Sequence, residues 1–368
     1  MSKAKVYFSD LRTRGGVTLP EKLNKLIDKA GMGNIDFKDK FVAIKIHFGE
    51  LGNLAYLRPN YAKVVVDYIK ARGGKAFLTD CNTLYVGSRK NALDHMDTAY
   101  ENGFSPFSTG CHVVIADGLK GSDDVEVPVP GGHYVKNAKI GRAVMDADII
   151  ISLNHFKGHE ATGFGGALKN LGMGCGSRRG KMEMHNAGKP TVHQKNCVGC
   201  GICLKQCAHS AITITAKKAA IDHAKCVGCG RCIAQCPKDA INGNDDEAND
   251  ILNAKIAEYA KAVVQNRPEF HISLVIDISP YCDCHAENDL PILPDVGMFA
   301  SFDAVALDIA CADACNRQPV IPGSHLAECK HVSDDNFINS HPTTDWKTSI
   351  AHAKKLGIGT DEYEIIEV

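Results

Sequence analysis

Eight cysteines between residues 197 and 236 fall into two runs of the same spacing. Cys197, Cys200, Cys203 and Cys207 follow C-x2-C-x2-C-x3-C, and Cys226, Cys229, Cys232 and Cys236 repeat it 29 residues later. Thiolates two residues apart reach three irons of one cubane from a tight loop, and the fourth, on the next helical turn, points to a second cubane. The spacing therefore predicts two [4Fe–4S] clusters with crossed ligands. Cluster one takes Cys197, Cys200, Cys203 and Cys236; cluster two takes Cys226, Cys229, Cys232 and Cys207. Ala211-Ile212 and Ala240-Ile241 keep one offset after the two runs, as halves of a pseudo-symmetric unit should. A zinc ribbon needs only paired C-x2-C arms, and a disulfide framework belongs to secreted chains, so both fit the eight-cysteine register less well. Ala208 stands where the second run has Pro237, which predicts a changed potential or solvent access at cluster two.

The other eight cysteines (Cys81, Cys111, Cys175, Cys282, Cys284, Cys311, Cys315, Cys329) have no framework-like spacing. Cys282-Asp283-Cys284-His285 carries donor types for a third metal site, but residues two apart on one loop cannot complete a tetrahedron unaided. Partners could come from Cys81, Cys175, His155 or His159; a redox-active thiol pair and inert packing are the competing readings. Cys311 and Cys315, four apart on an expected helix, read as core. His155, Lys157 and His159, with His47, are the expected acid/base or substrate-orienting groups. The glycines at Gly163, Gly165 and Gly166 lead into Ala167, Leu168 and Lys169, a turn that would open a helix with its free N–H groups toward an anion. Arg178 and Arg179 would add charge there. The competing reading is that these glycines serve only close helix packing.

Those residues need a scaffold to bring them together. Apolar runs over 41–48, 76–79, 112–116, 148–153 and 270–278 read as strands, and helical spacing appears over 59–72, 88–100, 251–263, 301–314 (capped by Ser301) and 344–356. An earlier helix starts near Pro20 and stops at Gly31, and 117–132 reads as a loop or small hairpin. Strands alternating with helices predict an α/β fold: a mostly parallel sheet with helices on both faces. The expected organisation is residues 1–188 and 244–368 as the α/β domain, interrupted by an inserted α+β dicluster ferredoxin-like domain over 189–243. Asn244 to Asn249 reads as the polar linker out of it. In such a sheet the ligand crevice lies beyond the carboxyl ends of the strands. His47 and Glu50, then Asp80, Cys81 and Asn82, then Asn154, His155, Lys157 and His159, then Tyr281 to His285 all follow proposed strands. They should converge.

Lys and Arg number 42 against 43 Asp and Glu, so no net field recruits nucleic acid or an anionic membrane. The start M-S-K-A-K-V-Y-F lacks a signal-peptide apolar core, and no run approaches the ~18 apolar residues of a membrane span. The expectation is a cytoplasmic protein, in a host that is largely anaerobic because cubanes and free thiolates are oxygen-sensitive.

K-I-H-F-G-E (45–50), T-D-C-N-T-L-Y (79–85), N-H-F-K-G-H (154–159), G-F-G-G-A-L-K-N-L-G-M-G (163–174), the paired cysteine runs and Y-C-D-C-H (281–285) together resemble the DUF362 family of iron–sulfur center proteins. The resemblance spans nearly the whole chain and implies two [4Fe–4S] clusters beside an α/β domain, without specifying a reaction. A stand-alone carrier needs only about 55 residues of this kind, so the large remainder points to an oxidoreductase that relays electrons to a small-molecule substrate in the crevice. A non-catalytic electron-transfer subunit docking to a partner enzyme, and a redox- or metal-responsive regulator using Cys282 and Cys284, are the alternatives. The expected partner is a soluble electron donor or acceptor protein; a third metal or a flavin is left open.

Overall fold

The computed structural model describes residues 3–84, 87–186, 189–207, 209–226, 231–238, 240–243 and 249–368. Cys229, Ala208 and residues 244–248 of the linker expected over Asn244 to Asn249 lie outside the described residues; Asn249 itself begins a helix.

Eight strands form one sheet: β1 (Ala4–Ser9), β2 (Phe41–Lys45), β3 (Lys75–Asp80), β4 (Val113–Ile115), β5 (Ile149–His155), β6 (Glu269–Val275), β7 (Gly297–Ser301) and β8 (Tyr363–Glu367), in the order β8-β1-β7-β6-β5-β2-β3-β4. The five strands from β6 to β4 are mutually parallel. β7 runs against both β6 and β1, and β8 is parallel to β1. The sheet is mostly parallel, as the alternation of elements predicts.

Successive side chains on a strand point to opposite faces, and here each face has its own core. Val42 and Ile44 of β2, with Ile149 and Ile151 of β5, pack on α1 (Leu19–Lys29), α2 (Pro59–Lys70) and α3 (Ala92–Glu101). Ala43 and Ile150 face the other way, against α4 (Ala167–Cys175), α6 (Asn249–Val264), α7 (Ala304–Asn316) and α8 (Trp346–Lys355). α1 begins with a capping box, Thr18 reaching Glu21 and Glu21 reaching back, and α3 is capped by Asn91. The region over 117–132 contributes one arm of a hairpin, Asp124–Pro128 paired with Asn137–Gly141.

One expected boundary is wrong. Ser301 ends β7, and the N-cap of α7 is Asp303, whose carboxylate accepts the Ala306 N–H at 2.8 Å. The Ser301 hydroxyl instead donates to Lys5 O at 2.8 Å, across to the neighbouring strand. The order of β2, β3 and β4 runs one way from the centre and that of β5 and β6 the other, so the connection reverses between β2 and β5. Side chains leaving the ends of those two strands face one crevice.

The described residues of 190–243 supply no strand to this sheet. They form two ladders of their own, Pro190–Val192 with Ile241–Gly243 and Ile212–Thr215 with Lys218–Ile221, and the short helices Ile202–Gln206 and Arg231–Ala234. Their core joins Cys197, Cys203 and Cys232 to Ile212, Ala219, Ile233 and Ile241.

Candidate functional site

Lys45, the last residue of β2, turns its ammonium into the crevice floor. It sits 3.1 Å from the Asp80 carboxylate at the end of β3 and 2.7 Å from Asn170 Oδ1 on α4. Gly174 permits this, because a Cβ there would lie 2.6 Å from Lys45 Nζ. Burial penalises the Asp80 charge, but Lys45 and other nearby cations outweigh it and hold the carboxyl well below its ordinary range. A second buried pair, Arg89 with Glu50 at 3.0 Å, braces the loop after β2. Arg89 also stands 3.1 Å from His47 Nε2. Burial first, and the Arg89 charge second, push the His47 pKa down to about 3. His47 is therefore neutral near pH 7.

The other wall grows from β5. His155 points Nδ1 at the Asp283 carboxylate, 2.9 Å away, and Nε2 at the Ile276 carbonyl, 2.8 Å away. Both ring nitrogens are engaged, so this histidine ties strand ends together and has none left for a substrate. Lys157–His159 then pairs with Gly163–Gly165 as a small antiparallel ladder. Lys157 is buried, and among the described residues its ammonium forms no hydrogen bond. Burial disfavours its charge, yet Cys282 and Asp283 more than compensate and raise its pKa. His159 Nδ1 accepts the N–H groups of Ala161 and Thr162 at 3.0 and 3.2 Å, which leaves the ring proton on Nε2. Burial lowers its pKa.

Together Lys45, His47, Cys81, Arg89, His155, Lys157, His159, Glu160, Lys169, Lys181, His185, Cys282 and Cys284 line one crevice of about 940 Å³, open mouth included. Of the strand-end residues expected to converge, His47, Asp80, Cys81, His155, Lys157, His159, Cys282, Asp283 and Cys284 line it, whereas Glu50, Asn82, Asn154, Tyr281 and His285 do not. The lining carries four lysines and an arginine against Asp80, Glu160 and Asp283, which suits an anionic ligand. Lys169 Nζ lies 3.4 Å from Cys282 Sγ. The Cys284 thiol, then despite burial Lys157, Lys169 and His159, hold Cys282 well below the usual thiol range.

The anion nest expected from Gly163, Gly165, Gly166 and Lys169 is built differently. α4 does start at Ala167, but its first N–H groups do not face the crevice. Asp308, fully buried on α7, accepts the Ala167 N–H at 2.6 Å and the Leu168 N–H at 2.9 Å. Gly165, Gly166 and Lys169 still line the crevice, whereas Gly163 instead begins the short strand. Arg178 donates to the Lys120 and Lys90 carbonyls and Arg179 to Asp124 and Glu126, so neither adds charge there. Of the partners expected for Cys282 and Cys284, Cys81 instead donates to the Cys175 carbonyl at 3.3 Å. Glu160 and His285, held to each other at 2.8 Å, adjoin Cys284, and His159, one of the expected partners, lies near enough to Cys282 to act on its charge. Glu160 follows His159 directly and was open to the same strand-end reasoning, whereas Arg89, Lys181 and His185 lie away from strand ends and gave no such signal.

In the cysteine-rich unit, Cys197, Cys200, Cys203 and Cys236 line a single cavity together with Gly199, Gly201, Ile214 and Ala219. Three cysteines of the first run and the last of the second thus face a common space. The Ala211 N–H reaches Cys207 Sγ and the Ala240 N–H reaches Cys236 Sγ, both at 3.3 Å and both four residues on, as donors to thiolate ligands would. Leu84 and Met182 pack into this unit's core. Leu84 also lines the crevice, and α5 (Arg178–Asn186) sets Met182 against the cysteines and Lys181 and His185 in the crevice.

The sequence model of a family described as a domain of unknown function (DUF362) matches residues 42–313. No curated protein matches the chain. Among solved structures, a protein of Thermotoga maritima is similar with TM-score 0.40 and 13% identity, over 81% of this chain and 57% of that one. The lactate racemase apoprotein of Thermoanaerobacterium thermosaccharolyticum is similar with TM-score 0.35 and 11% identity, over 74% of this chain and 51% of that one. The chain thus spans little more than half the length of either. No helix among the described residues is long and apolar enough to cross a membrane.

Proposed function

We propose that this chain, which belongs to the DUF362 family, is an iron–sulfur oxidoreductase that delivers single electrons to a small anionic substrate in its crevice. Two [4Fe–4S] clusters, when bound, would supply one-electron storage and transfer, held by Cys197, Cys200, Cys203 and Cys236 and by Cys226, Cys229, Cys232 and Cys207. The observation that carries this reading is the cavity shared by Cys197, Cys200, Cys203 and Cys236, cysteines drawn from both runs. Leu84, common to the crevice lining and the cysteine-rich core, supports transfer into the crevice over a carrier role in which the α/β part is only a docking platform.

Within the crevice, Lys157 and Lys169 would receive the charge of a carboxylate or phosphate, with Lys45 and Lys181 deepening the positive potential behind them. His159, with its proton fixed on Nε2, is the group suited to move a proton with each electron. His47 and His155 would orient the walls. Burial of the lining strengthens each of these interactions relative to water. A soluble electron donor or acceptor protein would meet the chain at the cysteine-rich unit, where Cys200 is exposed.

The test is Cys207→Ser, purified without oxygen and reduced. The cluster associated with Cys226 and Cys232 should lose its reduced-state EPR signal while that of Cys197, Cys200 and Cys203 remains. Loss of the signal belonging to the run that contains Cys207 would refute the crossed assignment.

A further inference from the structure

We infer that Glu160, Cys282, Cys284 and His285 form a mononuclear transition-metal site in the crevice wall, distinct from the cluster cysteines. It deepens the proposed function by adding a metal to the same crevice, and its geometry does not depend on the clusters. Ligand atoms of Glu160, Cys284 and His285 lie within 4.8 Å of one another. Cys282 adjoins this trio: its sulfur accepts the Cys284 N–H at 3.4 Å, and its own N–H donates to Glu160 Oε2 at 3.3 Å. The four donors come from only two short segments, the turn over 282–285 and the residue that follows Lys157–His159.

Two sulfurs, one imidazole nitrogen and one carboxylate oxygen match the soft to borderline tetrahedral preference of Zn2+ or Fe2+, and they are a poor set for Mg2+ or Ca2+. The carboxylate and imidazole donors are already joined by a hydrogen bond of 2.8 Å. Outer groups that hold metal-bound thiolates are in place as well: Lys169 Nζ and the Cys284 N–H both lie 3.4 Å from Cys282 Sγ. Glu160, Cys282 and Cys284 line the crevice, so the ion would face the same space as the Lys157 ammonium.

Zn2+ titration of the anaerobically purified chain, clusters intact, against a chromophoric chelator tests the inference. Wild type should bind one Zn2+ per chain beyond the cluster metal. Cys284→Ser and His285→Gln should each weaken it at least tenfold, while Cys329→Ser, at a separate Cys–His pair, should leave it unchanged. His285 is 39% exposed, so its replacement is compatible with the fold. Zinc-edge X-ray absorption should give two sulfur and two nitrogen or oxygen scatterers. Binding unaltered in both variants, no extra Zn2+ in wild type, or a four-sulfur shell would overturn the inference. Iron and sulfide measured on the same sample separate the two claims. Zinc bound as described without iron and sulfide would leave this site standing and remove the relay, and the reverse result would do the opposite.

Discussion

Asp308→Asn tests how the crevice is held from behind. Asp308 is fully buried and places one carboxyl oxygen on the Ala167 N–H and the other on the Leu168 N–H, at 2.6 and 2.9 Å. Asn keeps a single acceptor and turns its NH2 toward the second N–H, leaving a buried donor unmade at a cost of about 1–3 kcal/mol. That should be the loss at pH 5. Burial, opposed by the two backbone N–H groups, drives the Asp308 pKa up from 3.8 to about 7. A carboxyl whose folded pKa exceeds its unfolded value contributes stability that is complete below the unfolded pKa and is lost as pH rises through the folded one. Asn does not titrate. The gap between wild type and variant should therefore narrow between pH 5 and pH 7, by up to about 2–3 kcal/mol at ~1.4 kcal/mol per pH unit. Anaerobic urea denaturation can be followed by the fluorescence of Trp346, the single tryptophan, whose ring centroid lies 5.0 Å from that of Phe164 beside α4. A variant as stable as wild type at pH 5 would refute the capping role. A gap that widens with pH would show that the helix requires the ionised carboxylate.

Two further outcomes follow from the floor of the crevice. Lys45→Met leaves the buried Asp80 carboxylate without its nearest cation and should cost about 3–5 kcal/mol in the same urea assay, and an unchanged midpoint would contradict the pairing. His47, held at a pKa of about 3 by burial and by Arg89, should show no imidazole titration in NMR spectra between pH 5 and 8. Because its folded pKa is below its unfolded one, its contribution to stability is present above ~6.5 and lost as pH falls toward 3; a titration midpoint near 6 would contradict the burial argument.

Much of the site was legible because a parallel sheet turns sequence order into position. Side chains that follow β2, β3, β5 and β6 had to meet, and they do, from His47 to Cys284. What the sequence hid depends on distant pairing. Asp308 lies about 140 residues from the N–H groups it caps, and no local pattern links it to Ala167. The type of His155 is visible in the sequence, but its engagement with Asp283 and Ile276 is not. β1, β7 and β8 escaped notice for another reason. β8 is a largely exposed edge whose residues alternate weakly, and β7 runs directly into the Ser-Phe-Asp turn that resembles a helix start. Glu160 and His285 were in plain view beside singled-out residues, but their mutual contact required the fold.

Iron and acid-labile sulfide, determined on the chain grown and purified without oxygen, test the central claim most directly. Eight cluster ligands in two crossed sets require two cubanes, each of four irons and four sulfides. The prediction is about eight cluster irons with about eight sulfides per chain. Zinc at these cysteines, or iron without sulfide, would contradict it.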